Sequence, residues 1–121
     1  MRNTAKNAKA ALSLAAVIAS TSLMSSAFAA DDGYKLITDR KKGNCVACHM
    51  IPSPDGSDNQ AGNGGPPLIA MKARFPDRKA LFDQIYDPTI KNPNSFMPPF
   101  GKFNIISSAE INTIMDYLYK H

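Results

Sequence analysis

The segment that most limits what this chain can fold into is five residues long. Cys45-Val46-Ala47-Cys48-His49 sets two thiols three positions apart and puts an imidazole directly after the second. On one helical turn both thiols can form thioethers to the vinyl groups of a haem, and this spacing is the attachment signature of c-type haem. His49 then comes under the iron, where its ring nitrogen can serve as a ligand. Three other readings use the same residues. A thioredoxin-like redox pair needs a βαβ surround, which the flanking sequence does not offer. A zinc site needs four ligands, and beyond residue 29 the soft candidates are Cys45, Cys48, His49 and His121, the last at the final position. A plain disulfide would leave His49 without a role.

The N-terminal stretch points to export. Residues 1–9 carry Arg2, Lys6 and Lys9 and no acid, and residues 10–24 are an apolar run softened by Ser and Thr. Ala27-Phe28-Ala29 then supplies the small-x-small pattern of a cleavage site. The apolar run is shorter than the roughly 20 residues that span a bilayer. We therefore expect a signal peptide at 1–29, a single domain at 30–121, a periplasmic location and no membrane association. That compartment suits haem c, which is assembled outside the cytoplasm.

Removal of the leader also changes the charge. Of 14 basic and 10 acidic residues, three basic ones lie before position 30, leaving 11 against 10, or +1. No net positive field remains to collect phosphate, so nucleic acid is not an expected partner. The 92 residues left make a domain of poor surface-to-volume ratio, one that usually needs a staple. A haem would add the apolar surface that so short a chain lacks.

The pattern along the domain is all-α: short helices joined by long loops. A helix is expected over 31–42, with Tyr34, Leu36 and Ile37 apolar, Arg40, Lys41 and Lys42 in its last turn and Gly43 as its stop. Residues 50–67 are rich in Gly, Pro, Ser, Asp and Asn and read as loop. A short helix is expected within 68–75. Another starts at Pro76-Asp77, carries Leu81, Phe82 and Ile85 on one face, and ends at Asp87-Pro88. Residues 91–104, with Pro93, Pro98, Pro99 and Gly101, read as a restrained loop. Ser107-Ser108-Ala109-Glu110 is a capping box, followed by Ile111, Ile114, Met115 and Leu118 at helical spacing.

A histidine-ligated haem iron can take Met, His or nothing on its other face. The candidates are Met50, Met71, Met97, Met115 and His121. Met50 adjoins His49 and cannot reach the far face. Met115 lies in the apolar stripe of the last helix, and Met71 lies in a short amphipathic segment where core packing suffices. Met97 stands in Ser95-Phe96-Met97-Pro98-Pro99-Phe100-Gly101, a rigid non-helical stretch suited to holding a thioether in place. It is the expected sixth ligand, with packing in a Pro-rich turn as the alternative. The proximal His usually donates its second ring N–H to a backbone carbonyl. Pro66, in Gly62-Asn63-Gly64-Gly65-Pro66-Pro67-Leu68, is the candidate acceptor, unless that stretch is an ordinary turn. Arg40, Lys41 and Lys42 could form a docking face, though a solvated helix end accounts for them better.

The haem motif, the Gly-Pro-x-Leu after it and a Met loop ahead of a C-terminal helix resemble the class I cytochromes c across nearly the whole domain. That resemblance implies an all-helical fold with crossing first and last helices and one exposed haem edge. A narrower resemblance is to the SoxX family, the monohaem subunits of the SoxAX sulfur-oxidation complex. It rests on Gly43 to His49, Gly64-Gly65-Pro66-Pro67-Leu68, Arg74-Phe75-Pro76-Asp77-Arg78 and Met97-Pro98-Pro99-Phe100-Gly101-Lys102. Arg-Phe-Pro-Asp separates this family from other small cytochromes, and its sequence alone gives it no mechanistic meaning. The resemblance implies one covalent haem c on Cys45 and Cys48, His49 as proximal ligand and Met97 as distal ligand. It further implies a SoxA-type cytochrome partner, a SoxYZ-type carrier protein and a soluble electron acceptor. The implied activity is that of the electron-accepting subunit of an L-cysteine S-thiosulfotransferase, not catalytic alone. A free electron shuttle would use the same haem residues. A gas or redox sensor would need an open sixth site, against which the Met97 loop argues.

Overall fold

The structure is a computed structural model that describes residues 25–56 and 62–121, with side chains from Asp32 onward. The export signal expected at 1–29 lies outside the described residues, apart from positions 25–29, which open the first helix. Four α-helices follow in order: α1 (Ser25–Thr38), α2 (Met71–Arg74), α3 (Arg78–Tyr86) and α4 (Ser108–Leu118). Two 3₁₀ turns, Cys45–Ala47 and Pro88–Ile90, lie between them, and there is no strand among the described residues.

The best-specified element is α4. Ser107 Oγ accepts from the Glu110 amide at 3.3 Å, and a Glu110 carboxylate oxygen accepts from the Ser107 amide at 2.8 Å. The capping box therefore satisfies two backbone donors that the first turn of a helix leaves without partners. Beyond it, Ile111, Ile114, Met115, Tyr117 and Leu118 are buried. Each such aliphatic side chain contributes roughly 2 kcal/mol by leaving water.

Helix α1 crosses α4 and makes the most extensive contact between helices. Gly33 permits the crossing: a Cβ there would stand 2.6 Å from Tyr117 Cβ and 2.8 Å from the Thr113 carbonyl oxygen. The helix ends at Thr38, four residues before the expected Lys42. Asp39 is the reason. Its carboxylate accepts from the Lys41 amide at 2.8 Å, and its carbonyl accepts from the amides of Lys42 and Asn44. A side chain that bonds its own backbone two residues on offers a turn in place of another helical turn. Lys42 consequently swings to Glu110, with which it forms an ion pair at 2.8 Å. Arg40 and Lys41 are exposed.

Helix α3 begins where expected, with the Asp77 side chain accepting from the Lys79 amide at 2.9 Å. Leu81 and Ile85 are buried against the core, whereas Phe82 is half-buried and stacks on Tyr86. The expected helix within 68–75 shrinks to the single turn of α2, because Ala70 enters it in a left-handed conformation with φ 51°.

The Arg74–Arg78 stretch acquires a physical purpose. The Arg78 guanidinium pairs with Asp116 at 2.8 Å, donates to the Asn112 carbonyl at 3.1 Å and lies over the Tyr119 ring. Tyr119 in turn donates its hydroxyl proton to the Phe75 carbonyl at 2.7 Å. The stretch lashes the α2–α3 corner to the end of α4.

Candidate haem-binding site

A cavity of about 610 Å³ opens between these elements, within the size range of small-molecule and cofactor sites. Its apolar lining includes Ile37, Ile51, Leu81, Ile85, Phe100, Ile114 and Leu118, so all three long helices contribute. Cys45, Cys48, His49, Pro66 and Met97 line it as well. The structure thus brings all five sequence-predicted site residues to one cavity.

The Cys-x-x-Cys-His segment reaches that wall through its local backbone. Asn44 enters with φ 44°, in the left-handed region that Asn tolerates better than most residues. The chain then tightens into the 3₁₀ turn, and the Cys45 carbonyl accepts from the amides of Cys48 at 3.2 Å and His49 at 2.9 Å. Both cysteines stand as free thiols. Cys45 is half-buried and Cys48 exposed. Burial in the apolar wall pushes the Cys45 thiol up to about 11, so it is held as S–H.

His49 Nδ1 stands 2.7 Å from the Pro66 carbonyl oxygen. A carbonyl can only accept, so Nδ1 is the donor here, and in the neutral ring with this bond Nε2 is the nitrogen that keeps a free lone pair. That is the tautomer a metal-binding imidazole requires. Pro66 is placed by a backbone strap that runs alongside the cysteine segment. Gly62 donates to the Val46 carbonyl, Gly65 to that of Cys48 at 2.9 Å, and Leu68 to that of Met50 at 2.8 Å. Close approach demands glycine at two of these positions. A Cβ on Gly62 would fall 1.8 Å from the Ala47 carbonyl oxygen, and one on Gly65 would fall 2.3 Å from His49 Cε1.

Met97 comes from the loop between α3 and α4. Its amide donates to Ser95 Oγ at 3.2 Å, and two prolines follow before the buried ring of Phe100. Met71 also lines the cavity, which sequence reading assigned to core packing alone. It is 2 % exposed, and its sulfur accepts from the Arg74 guanidinium at 3.6 Å. Met50 and Met115 are not among the lining residues, and His121 packs its ring on Tyr117.

The donor set fits a haem. It comprises two thiols, an imidazole with a bare nitrogen and a thioether, in an apolar space of suitable size. It does not fit zinc: among the described residues no group of three or more His, Cys, Asp or Glu could hold a metal ion. The cavity lining further includes Asn44, Gln84, Asn92 and Asn94, which sequence reading passed over. Asn92 and Asn94 are exposed, so they mark where the cavity meets solvent. The Asn-rich run ahead of Met97 was the one signal for them.

Comparison with known proteins agrees. The family described as "Cytochrome C oxidase, cbb3-type, subunit III" matches residues 28–118. A protein of Aquifex aeolicus (strain VF5), described as an uncharacterized lipoprotein, is 37 % identical over 79 residues. The match covers 65 % of this chain and 37 % of that relative, so the chain spans little more than a third of the relative's length. The chain belongs to the family that this model defines, and is a haem-binding, electron-transfer cytochrome c domain of class I-like, all-α architecture.

Proposed function

We propose that this cytochrome carries one haem c, bound covalently through Cys45 and Cys48 with His49 and Met97 as axial ligands. We further propose that it is the electron-accepting subunit of a SoxAX-type L-cysteine S-thiosulfotransferase in the periplasm. The observation that carries the redox part is that His49, with its Nε2 bare, shares one apolar cavity with both thiols and Met97.

When bound, haem supplies reversible one-electron exchange at its iron. The chain's own residues set the conditions. The Pro66 carbonyl fixes the His49 ring and strengthens its nitrogen as a donor. The Met97 thioether is a soft ligand, of the kind that raises the reduction potential. The aliphatic side chains of α1, α3 and α4 keep water from the ring faces. The cavity also has exposed lining residues, among them Cys48 and Phe96, at which an electron can enter or leave.

The sulfur-oxidising role is supported by the resemblance of Gly64 to Leu68, Arg74 to Arg78 and Met97 to Lys102 to the SoxX family. In that role a SoxA-type partner joins thiosulfate to a cysteine of a SoxYZ-type carrier. A new S–S bond forms, and one proton and two electrons are released. This subunit takes the electrons singly and passes them to a soluble acceptor. The test is affinity capture of the protein from the periplasm of its host grown on thiosulfate. A stoichiometric SoxA-type partner, with haem reduced on adding thiosulfate and carrier, is the expected result. A lone cytochrome left oxidised by the same additions would make it a free shuttle.

A further inference from the structure

The loop that presents Met97 runs from Pro88 to Gly101, and the hydrogen bonds of its middle stay within it, while its last residues are tied to the turn that follows: the Pro99 carbonyl accepts from Phe103, and the Phe100 carbonyl from Ile105 and Ile106. Asn92 donates to the Pro88 carbonyl, Ser95 to that of Asn92, Met97 to Ser95 Oγ, and Phe100 to the Pro98 carbonyl. These bonds give the loop its form. They do not fix where it sits on the body of the protein.

Phe100, buried in the core, anchors its C-terminal end, and the rest of that task falls to its neck. Asp87 closes α3 and is only 5 % exposed. A buried carboxylate must be fully hydrogen-bonded or paired to be tolerated. One oxygen of Asp87 accepts from the Thr89 amide at 3.1 Å and from the Thr89 hydroxyl, at the start of the loop. The other meets Lys102 Nζ at 2.9 Å, at the loop's far end. The backbone closes the same neck, since the Tyr86 carbonyl accepts from the amides of Gly101 and Lys102, each at 3.1 Å. Gly101 packs flat on the Tyr86 ring, and a Cβ there would lie 2.1 Å from Cδ2.

The Thr89 bonds alone would cap the 3₁₀ turn. The Lys102 contact reaches fifteen positions along the chain and adds nothing to that cap. We propose that Asp87 and Lys102 are positioning residues whose ion pair clamps the neck of the 88–101 loop and so sets the place of Met97. This rests on the reading of Met97 as an axial ligand. Neither side chain touches the haem space. Both act through the loop that they close.

The test uses the haem-loaded protein with Lys102→Ala and Lys102→Arg. The first readout is amide hydrogen exchange at Gly101 and Lys102, which reports opening of the neck directly. The second is the optical signature of sulfur ligation, followed through a denaturant titration. Lys102→Ala should speed exchange at both amides about tenfold and lose sulfur ligation at lower denaturant, before the helices unfold. Lys102→Arg should restore both. Exchange within twofold of the parent in Lys102→Ala would overturn the clamp. Faster exchange with sulfur ligation unmoved would overturn its positioning role. A Met97→Ala control that keeps the sulfur signature would remove the ligation reading and the clamp's assigned purpose with it. The exchange arm would still show whether the neck is held by this pair.

Discussion

The two sides of the haem site are held by different means. On the His49 side the chain lies against itself. Three backbone hydrogen bonds tie residues 46–50 to 62–68, and the Pro66 carbonyl fixes the imidazole. Every one of these partners is main chain or the ligand itself. On the Met97 side the proposed ligand rides on a fourteen-residue loop (Pro88 to Gly101) whose internal bonds are local. Its N-terminal part is attached by two amides and one side-chain pair at the neck, and its C-terminal end by the buried Phe100, whose carbonyl accepts from Ile105 and Ile106. A backbone strap has few ways to open, whereas a loop hinged at its neck can move as a unit. The comparison implies that the distal side yields first under stress and the proximal side costs more to disturb.

The largest expected effect is on the proximal side. Gly65→Ala puts a methyl group 2.3 Å from the His49 ring, which the hydrogen bond to the Pro66 carbonyl holds in place. Overpacking of this kind costs about 3 kcal/mol. Thermal unfolding of the holoprotein should show the loss, together with an altered reduction potential as the Pro66 bond breaks. Full stability with an unchanged potential would mean that the strap is looser than drawn. Gly101→Ala is the matching insult on the distal side. Tyr86 is partly exposed and its ring can swing, so the cost is about 1–2 kcal/mol. Here the sulfur-ligation signature should weaken while histidine ligation stays, as resonance Raman or magnetic resonance would show. Equal damage to both ligands would erase the contrast between the two sides.

Much of this arrangement could be read in the sequence, and the failures have definite causes. The capping box at Ser107 and Glu110 and the spacing of Ile111 to Leu118 specify α4 because every signal there is local. The end of α1 was misplaced because Arg40, Lys41 and Lys42 fit a helix end, while the Asp39 carboxylate takes up the Lys41 amide first. The strap alongside the cysteine segment is made of main-chain bonds, which have no side-chain signature beyond the glycines that permit them. The 3₁₀ turn at Pro88–Ile90 was hidden in what reads as a stop signal, Asp87-Pro88, whose Asp both ends α3 and caps the turn. Arg78 carries no pattern that names its partners, since Asp116 and Tyr119 come close to it only in the folded chain.

The smallest expected effect lies away from both sides and serves as a control. The Lys42 ammonium, helped by the Ser107 amide, holds the Glu110 carboxyl down at about 2 from an ordinary 4.5. A depressed carboxylate adds stability that is complete above its unfolded pKa and is lost as pH falls through its folded one. The stability of the holoprotein should therefore decline between about pH 4.5 and 2, and Glu110→Gln should flatten that part of the profile. Because the pair is partly solvated the change is modest, and it fades at high salt. Neither axial ligand should respond. A ligation change in Glu110→Gln would show that α4 and the site are coupled more tightly than the two-sided account allows.

The most direct test of the account compares Met97→Ala with Met71→Ala in the oxidised holoprotein, because both sulfurs line the same cavity. We expect Met97→Ala to lose the sulfur-to-iron absorption band with haem still covalently attached, and Met71→Ala to keep it while losing stability as a buried methionine. Loss of the band in Met71→Ala and its retention in Met97→Ala would contradict the central claim and move the distal ligand to α2.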